Sequence, residues 1–457
     1  MTLTGRAVLL TLVGLLAIPL APTLATAVVW LGVVALLVAL DLALAARIRD
    51  VRLDRATLPP VHLLEDTESV LTVTNTGRRR ARGVLRDAWQ PSAGARLVHR
   101  VDLTPGDHAT LSTPLRPTRR GDLRADRVTL RLLGPLGLAG RQRSVPLTGL
   151  LRVLPAFPSR RHLPGLLRHL QLLDGRAVVR LPGQGTEFDS LRDYVRGDDV
   201  RSIDWRATAR RRAAVVRTWR PERDRHVVIV LDTSRTTAAR IGDVPRLDAA
   251  MDAALLLTAL ATRGGDRVDV VAGDRVVRLV DPGGRGAAGH EDRLHRLIDA
   301  LGPVDPSLVE ANWSALAATT LDLAPRGALV VLLTPLEPVV VEETLLPALD
   351  ALGARHTLVL ASVRDPALPQ LSGDGPTDVT PAPPTEESSP GRIGGGETDA
   401  EADHAFAAAA AAQALARRER TAAVLEGLGV TVLDRPPADL PVDLARTYLG
   451  LKERGLL

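Results

Sequence analysis

The chain has no cysteine and a single lysine, Lys452, among its 457 residues. Without cysteine there is no disulfide, no thiolate metal site and no cysteine nucleophile. With its one lysine near the end of the chain, there is no glycine-rich loop followed by the lysine that grips nucleotide phosphates. Gly183-Gln-Gly185 lacks the third glycine of a dinucleotide loop, so a bound nucleotide is not expected by either route. Aromatic residues make up only 2% of the chain and the formal charge is a mild +5. No basic run is interleaved with aromatics, so a nucleic-acid face is not expected. No GxSxG elbow is present. His290 and His295 are five apart in sequence, so on one helix they do not share a metal as an i, i+4 pair does. No catalytic constellation emerges, and the chain is read as non-enzymatic.

What is abundant is apolar residues, at 45%. Residues 7–46 carry one charge, Asp41. As helix this stretch would span roughly 60 Å, twice the hydrocarbon thickness of a bilayer. Pro19 and Pro22 fall where a turn is needed, so the stretch reads as a transmembrane hairpin, near 7–22 and 25–46. Arg6 precedes it and Arg47, Arg49, Arg52 and Arg55 follow it. The positive-inside rule then puts both ends in the cytoplasm: a two-pass protein of the inner membrane with its bulk facing the cytoplasm.

The remaining length is enough for two or three domains. From 49 to 155, segments such as Ser69–Thr76, Arg96–Leu103, His108–Leu115 and Arg124–Leu133 alternate with period two between turn clusters. An antiparallel β-sandwich is expected there. Residues 156–222 read as a connector carrying a dense motif. Residues 223–457 alternate strands and helices, as a mostly parallel α/β sheet requires. Buried strands are expected at His226–Leu231 and Ala328–Leu333, and helices at Arg246–Arg263 and Val340–Leu352. The Pro-, Gly-, Ser- and acid-rich stretch 365–398 reads as a flexible insertion.

Two places invite chemistry. Strand His226–Leu231 runs into Asp232-Thr-Ser234-Arg-Thr236, a carboxylate and hydroxyls at the carboxyl edge of a sheet, where open α/β folds bind ligands. Hard oxygen donors at that spacing suit Mg²⁺. The same residues also suit a turn in which Asp and Ser satisfy backbone amides. The second place is the connector motif, with Glu187, Phe188, Arg192, Tyr194, Asp198, Arg201, Asp204, Trp205 and Arg210. Its aromatics and arginines suit a buried seam between domains. They equally suit a docking surface, since Trp, Tyr and Arg carry binding energy at interfaces.

The series Gly185-x-Glu187-Phe188-x-x-Leu191-Arg192-x-Tyr194-x-x-Gly197-Asp198-Asp199-x-Arg201-x-Ile203-Asp204-Trp205-x-x-x-Ala209-Arg210 resembles the signature of the bacterial domain-of-unknown-function family fifty-eight. Gly134-Pro135-Leu136-Gly137-Leu138 and Tyr448-Leu449 extend the resemblance. It implies a membrane-anchored protein with an α/β domain of the von Willebrand factor A type, acting with a MoxR-type AAA+ ATPase. It also implies a metal-ion-dependent adhesion site of Asp-x-Ser-x-Ser form, with a threonine and an aspartate on later loops. Asp232 and Ser234 match, and Thr236 keeps a hydroxyl. Ser307 and Asn312 stand where the threonine is expected, and Thr334-Pro335-Leu336-Glu337 where the aspartate is. The expected function is a non-enzymatic adaptor that assembles or regulates other proteins. The alternatives are a Mg²⁺-dependent hydrolase at the Asp232 loop and a purely structural membrane scaffold.

Overall fold

A computed structural model describes the chain except residues 1, 18–22, 178–186, 196–202, 212, 221–224, 243, 284–289, 325, 374–395 and 457. It forms two compact units, Met1–Ala156 and Phe157–Leu457. The apolar stretch and the 49–155 region fall in the first. The connector falls in the second.

The first unit begins with strand β1 (Thr2–Leu3) and helices α1 (Gly5–Ala17) and α2 (Leu24–Leu44). The helix from Leu24 is long and apolar enough to cross a membrane, while Gly5–Gly14 is a shorter apolar helix. The strands that follow are β2 (Val51–Arg55), β3 (Val61–His62), β4 (Thr67–Asn75), β5 (Ala81–Trp89), β6 (Val98–Leu103), β7 (His108–Leu115), β8 (Gly121–Leu133) and β9 (Ala139–Leu154). They make one sheet ordered β1-β9-β8-β5-β6, with β3 beside β9, and a second ordered β2-β4-β7. Period-two patterning puts Leu71 and Val73 of β4 against Leu85 of β5 and Val128, Leu130 and Leu132 of β8 in one core. Both sheets contribute to that core, which makes the region a sandwich. Inside it, Arg55 lies over the Trp89 ring and pairs with buried Asp87 at 2.6 Å.

The second unit opens with α3 (Leu163–Ala177), hairpin strand β10 (Glu187–Asp193), α4 (Trp205–Arg211) and the pairing strand β11 (Val215–Arg220). Next come β12 (His226–Asp232), the short ribbon β13 (Arg240–Ile241) and β14 (Val244–Pro245), α5 (Arg246–Arg263), β15 (Arg267–Gly273) and β16 (Val277–Asp281). The chain continues through α6 (His290–Leu301), α7 (Trp313–Leu323), β17 (Ala328–Leu333), α8 (Pro338–Val340), α9 (Leu346–Gly353) and β18 (Thr357–Val363). It closes with α10 (Ala367–Ser372), α11 (Gly396–Gly427), β19 (Thr431–Arg435) and α12 (Leu440–Glu453). The sheet runs β16-β15-β12-β17-β18-β19. It is parallel except at its β16 edge.

Every residue of β17, and all of β12 after His226, is buried, as strands covered on both faces must be. Helix α5 is buried almost all round. Its far end is pinned by Lys452, whose Nζ lies 3.0 Å from Asp266, while Tyr448 donates to the same carboxylate at 2.6 Å. Two expectations need adjusting. The helix expected at Val340–Leu352 is broken by a π-turn at Val341–Leu345. Pro347 stands just beyond, and with no N–H it cannot bond the carbonyl of Glu343, so the ladder shifts. Within the 365–398 insertion, residues 367–372 are helical and α11 begins at Gly396. Residues 374–395 lie outside the described part.

Candidate functional site

The order of the α/β sheet fixes where a site can form. From β12 the chain goes to β15 on one side and later returns to β17 on the other. The crevice at the carboxyl ends of β12 and β17 is therefore the topological switch point. Asp232 ends β12 there, and Thr334 follows β17.

Both are buried, as are Ser234 and Thr236. Asp232 Oδ1 accepts the Ser234 backbone N–H at 2.8 Å, tightening the turn. Its Oδ2 accepts from Thr334 Oγ1 at 2.7 Å and from Thr236 Oγ1 at 3.3 Å. Ser234 Oγ and Thr236 Oγ1 are 3.1 Å apart. Burial holds the Asp232 carboxyl above the usual aspartate range, against the hydrogen bonds from Ser234, Thr334 and Thr236 that favour its charged form. Among the described residues no ion pair includes it.

The flanking loops are tied to this turn through the backbone. Ser307 N–H donates to Thr233 O at 2.8 Å and Arg235 N–H to Val309 O at 2.9 Å. Thr233 Oγ1 donates to Asp274 at 3.0 Å, and Arg278 pairs with Asp274. Burial acts to raise the Asp274 carboxyl, but the hydrogen bonds from Arg278 and Thr233 outweigh it and hold it below the usual range. Arg246 Nη1 donates to Thr236 O at 3.1 Å and lies 3.9 Å from Glu337. Around the rim, Arg235 pairs with Glu310. Leu308 is 84% exposed and Val339 59%.

The sequence motif is thus brought together, and Thr334 joins it. A search for a second carboxylate passes over this residue, although a hydroxyl directly after a buried strand is the signal. Glu337 turns to Arg246 instead. The two second-loop candidates are engaged elsewhere: Asn312 caps α7 by accepting from Ala315 N–H at 3.1 Å, and Ser307 Oγ accepts from Arg278 at 2.9 Å. In kind, the four oxygens fit a small hard cation: one carboxylate and three hydroxyls from two loops, and no softer donor. Among the described residues there is no cluster of three or more His, Cys, Asp or Glu side chains.

The connector motif forms a small hairpin-and-helix element. Glu187 and Phe188 lie on β10 opposite Arg220 and Trp219. Arg192 and Tyr194 are half-buried, with Tyr194 N–H donating to Ala214 O at 2.8 Å. Asp204 caps α4, accepting from Arg206 N–H and Ala207 N–H at 2.9 and 3.0 Å. Arg210 is exposed, and Trp205 is 69% exposed. It starts a helix of only two turns, at the position after the cap. Asp198 and Arg201 lie outside the described residues.

An open, switch-point α/β sheet with an oxygen-lined turn is the class of protein this unit defines. The family model described as "Protein of unknown function DUF58" matches residues 190–415 of this chain. An uncharacterized protein of Mycobacterium tuberculosis is 28% identical over 288 residues, 63% of this chain and 86% of the relative. A Mycobacterium bovis protein gives the same figures. Among solved structures, a von Willebrand factor type A protein from Catenulispora acidiphila aligns over 52% of this chain and 44% of its own, at 17% identity and a TM-score of 0.28. A PapD-like domain of human CEP192 aligns over 23% of this chain and 87% of its own, at 14% identity and a TM-score of 0.18. Scores this low carry no inference, and the fold rests on the strand order itself.

Proposed function

We propose that this protein is a membrane-anchored, non-enzymatic interaction protein whose α/β domain, of von Willebrand factor A type, engages a partner through the Asp232 turn. The observation that carries the reading is a fully buried carboxylate with hydroxyl partners and, among the described residues, no paired cation, at the switch point of the sheet. Such a group is poised to take a cation from outside, because hydroxyls can turn their lone pairs toward an ion. In this reading Asp232, Ser234, Thr236 and Thr334 hold Mg²⁺, which supplies an open coordination position for an acidic group of the partner. Exposed Leu308 and Val339 add apolar contact at the rim. The partner class is a MoxR-type AAA+ ATPase or a client assembled with it. The two apolar helices form a two-pass anchor in the inner membrane, with the rest of the chain in the cytoplasm.

The test is binding of a MoxR-type ATPase to the full-length chain in detergent, with and without chelator, and with Asp232→Ala. The reading expects both treatments to weaken binding at least tenfold. Equal binding in all three samples removes the metal and the turn from the interaction. A structural scaffold is the second reading, favoured by the hydrogen bonds that already join Thr236 and Thr334 to Asp232. In that case Mg²⁺ leaves the thermal stability of the chain unchanged.

A further inference from the structure

Two sequence features have no part in the Asp232 turn: the lone acid of the apolar stretch, and the run Gly134-Pro135-Leu136-Gly137-Leu138. The first unit brings them together. Asp41, near the end of α2, is fully buried. Its Oδ1 accepts from Leu136 N–H at 2.7 Å, and its Oδ2 from Leu138 and Ala139 N–H at 2.7 and 2.8 Å. Three backbone amides converging on one carboxylate form an anion-binding nest, filled here by the protein's own side chain. Close approach requires Gly134, where a Cβ would stand 2.2 Å from Asp41 Oδ1. Gly137 turns the loop at a φ of +68°, which favours glycine.

The same loop grips the start of the other helix. Thr4 N–H donates to Leu138 O at 3.0 Å and Thr4 Oγ1 to Gly137 O at 2.6 Å, while β1 pairs with β9. Arg79 donates to Ala43 O and Arg141 to Leu42 O, satisfying carbonyls of the last turn of α2. The chain leaving α2 is itself core: Ala45, Ala46 and Ile48 are buried, and the last two belong to the sandwich cluster.

We propose that Asp41 and loop 134–139 are a clasp that makes the two apolar helices and the sandwich one stiff body. The helices are then a rigid mount, and a tilt of α2 in the bilayer moves the sandwich with it. Because the beginning of α1 and the end of α2 grip one loop, a bilayer crossed by this pair has both ends on the sandwich side. The clasp does not depend on the Asp232 turn or on any partner.

The cysteine-free chain allows clean spin labelling of the full-length protein in lipid nanodiscs. One pair places labels at Leu36→Cys on α2 and Val98→Cys on the sandwich, both exposed positions; a reference pair, Val98→Cys and Leu150→Cys, lies within the sandwich. Pulsed electron resonance should give the first pair a distance distribution as narrow as the reference. Asp41→Asn should at least double its width while the reference stays narrow, because an amide has one acceptor oxygen and turns donors toward donors. Gly134→Ala should do the same from the other side of the contact. A first-pair distribution already twice as broad as the reference in the otherwise unaltered chain overturns the clasp. So do widths unchanged by both substitutions. If Asp41→Asn broadens the reference pair as well, the sandwich has unfolded, and Gly134→Ala with the unaltered chain decides.

Discussion

Asp41 and Asp232 are the same residue type, and neither exposes any surface. What surrounds them differs. Asp41 accepts from three backbone amides, which can only donate and whose positions are fixed by the β8–β9 turn. Asp232 accepts from one backbone amide and two threonine hydroxyls. Hydroxyls rotate and can accept as readily as donate. A buried carboxyl among amides is therefore a lock, whereas one among hydroxyls can be handed a ligand. Burial alone does not distinguish structure from function; the freedom of the partner groups does.

Breaking the lock should have the largest effect. Asp41→Ala leaves the buried amides of Leu138 and Ala139 unsatisfied at about 1–3 kcal/mol each, and that of exposed Leu136 at less, so on the order of 5 kcal/mol is lost from the first unit. Thermal unfolding of the full chain in detergent, followed through the sandwich, reads this. A third buried acid, Asp266, gives an intermediate case because its partner is a true cation, Lys452. Lys452→Met strands that carboxylate and should cost about 3–5 kcal/mol, whereas Lys452→Met with Asp266→Leu should recover most of the loss. Chemical denaturation of the single and double variants compares them.

Asp232→Asn should behave in the opposite sense. The amide keeps an acceptor for Ser234 N–H and can donate to Thr334 or Thr236, so stability should change by less than about 1 kcal/mol or rise. Any stabilisation by Mg²⁺ should vanish in this variant, as differential scanning calorimetry with and without the ion would read. The smallest effect belongs to Thr334→Val, which removes one hydroxyl at about 1 kcal/mol. If it also weakens Mg²⁺ stabilisation, Thr334 belongs to the ligand set; if stability alone changes, it merely satisfies the carboxylate.

Much of the α/β unit was legible because its signals are local. Helix Arg246–Arg263 and strand Ala328–Leu333 occupy the residues that periodicity and the flanking glycines and proline mark out. The hairpin of β15 and β16 turns through residues 274–276, just past Gly273. Asp232, Ser234 and Thr236 were legible for the same reason. Thr334 was not, because it meets Asp232 across 102 residues and carries no charge to draw notice. Asp41 stood out as a lone acid, but its partners lie 95 to 98 residues away and are backbone groups that no side-chain pattern marks. Trp205 shows the converse: its residue type suited a buried seam and a docking surface alike, and it stands exposed at the head of a short helix.

Lys452 has one more consequence. The only lysine in the sequence is sealed against Asp266, Tyr448 and Gly264. The folded protein therefore presents no side-chain amine to its surroundings. Lysine-directed cross-linkers will find no side chain on it to join to a partner, acylating enzymes will find no lysine to modify, and a partner survey is better served by carboxylate-directed or photoactivated chemistry.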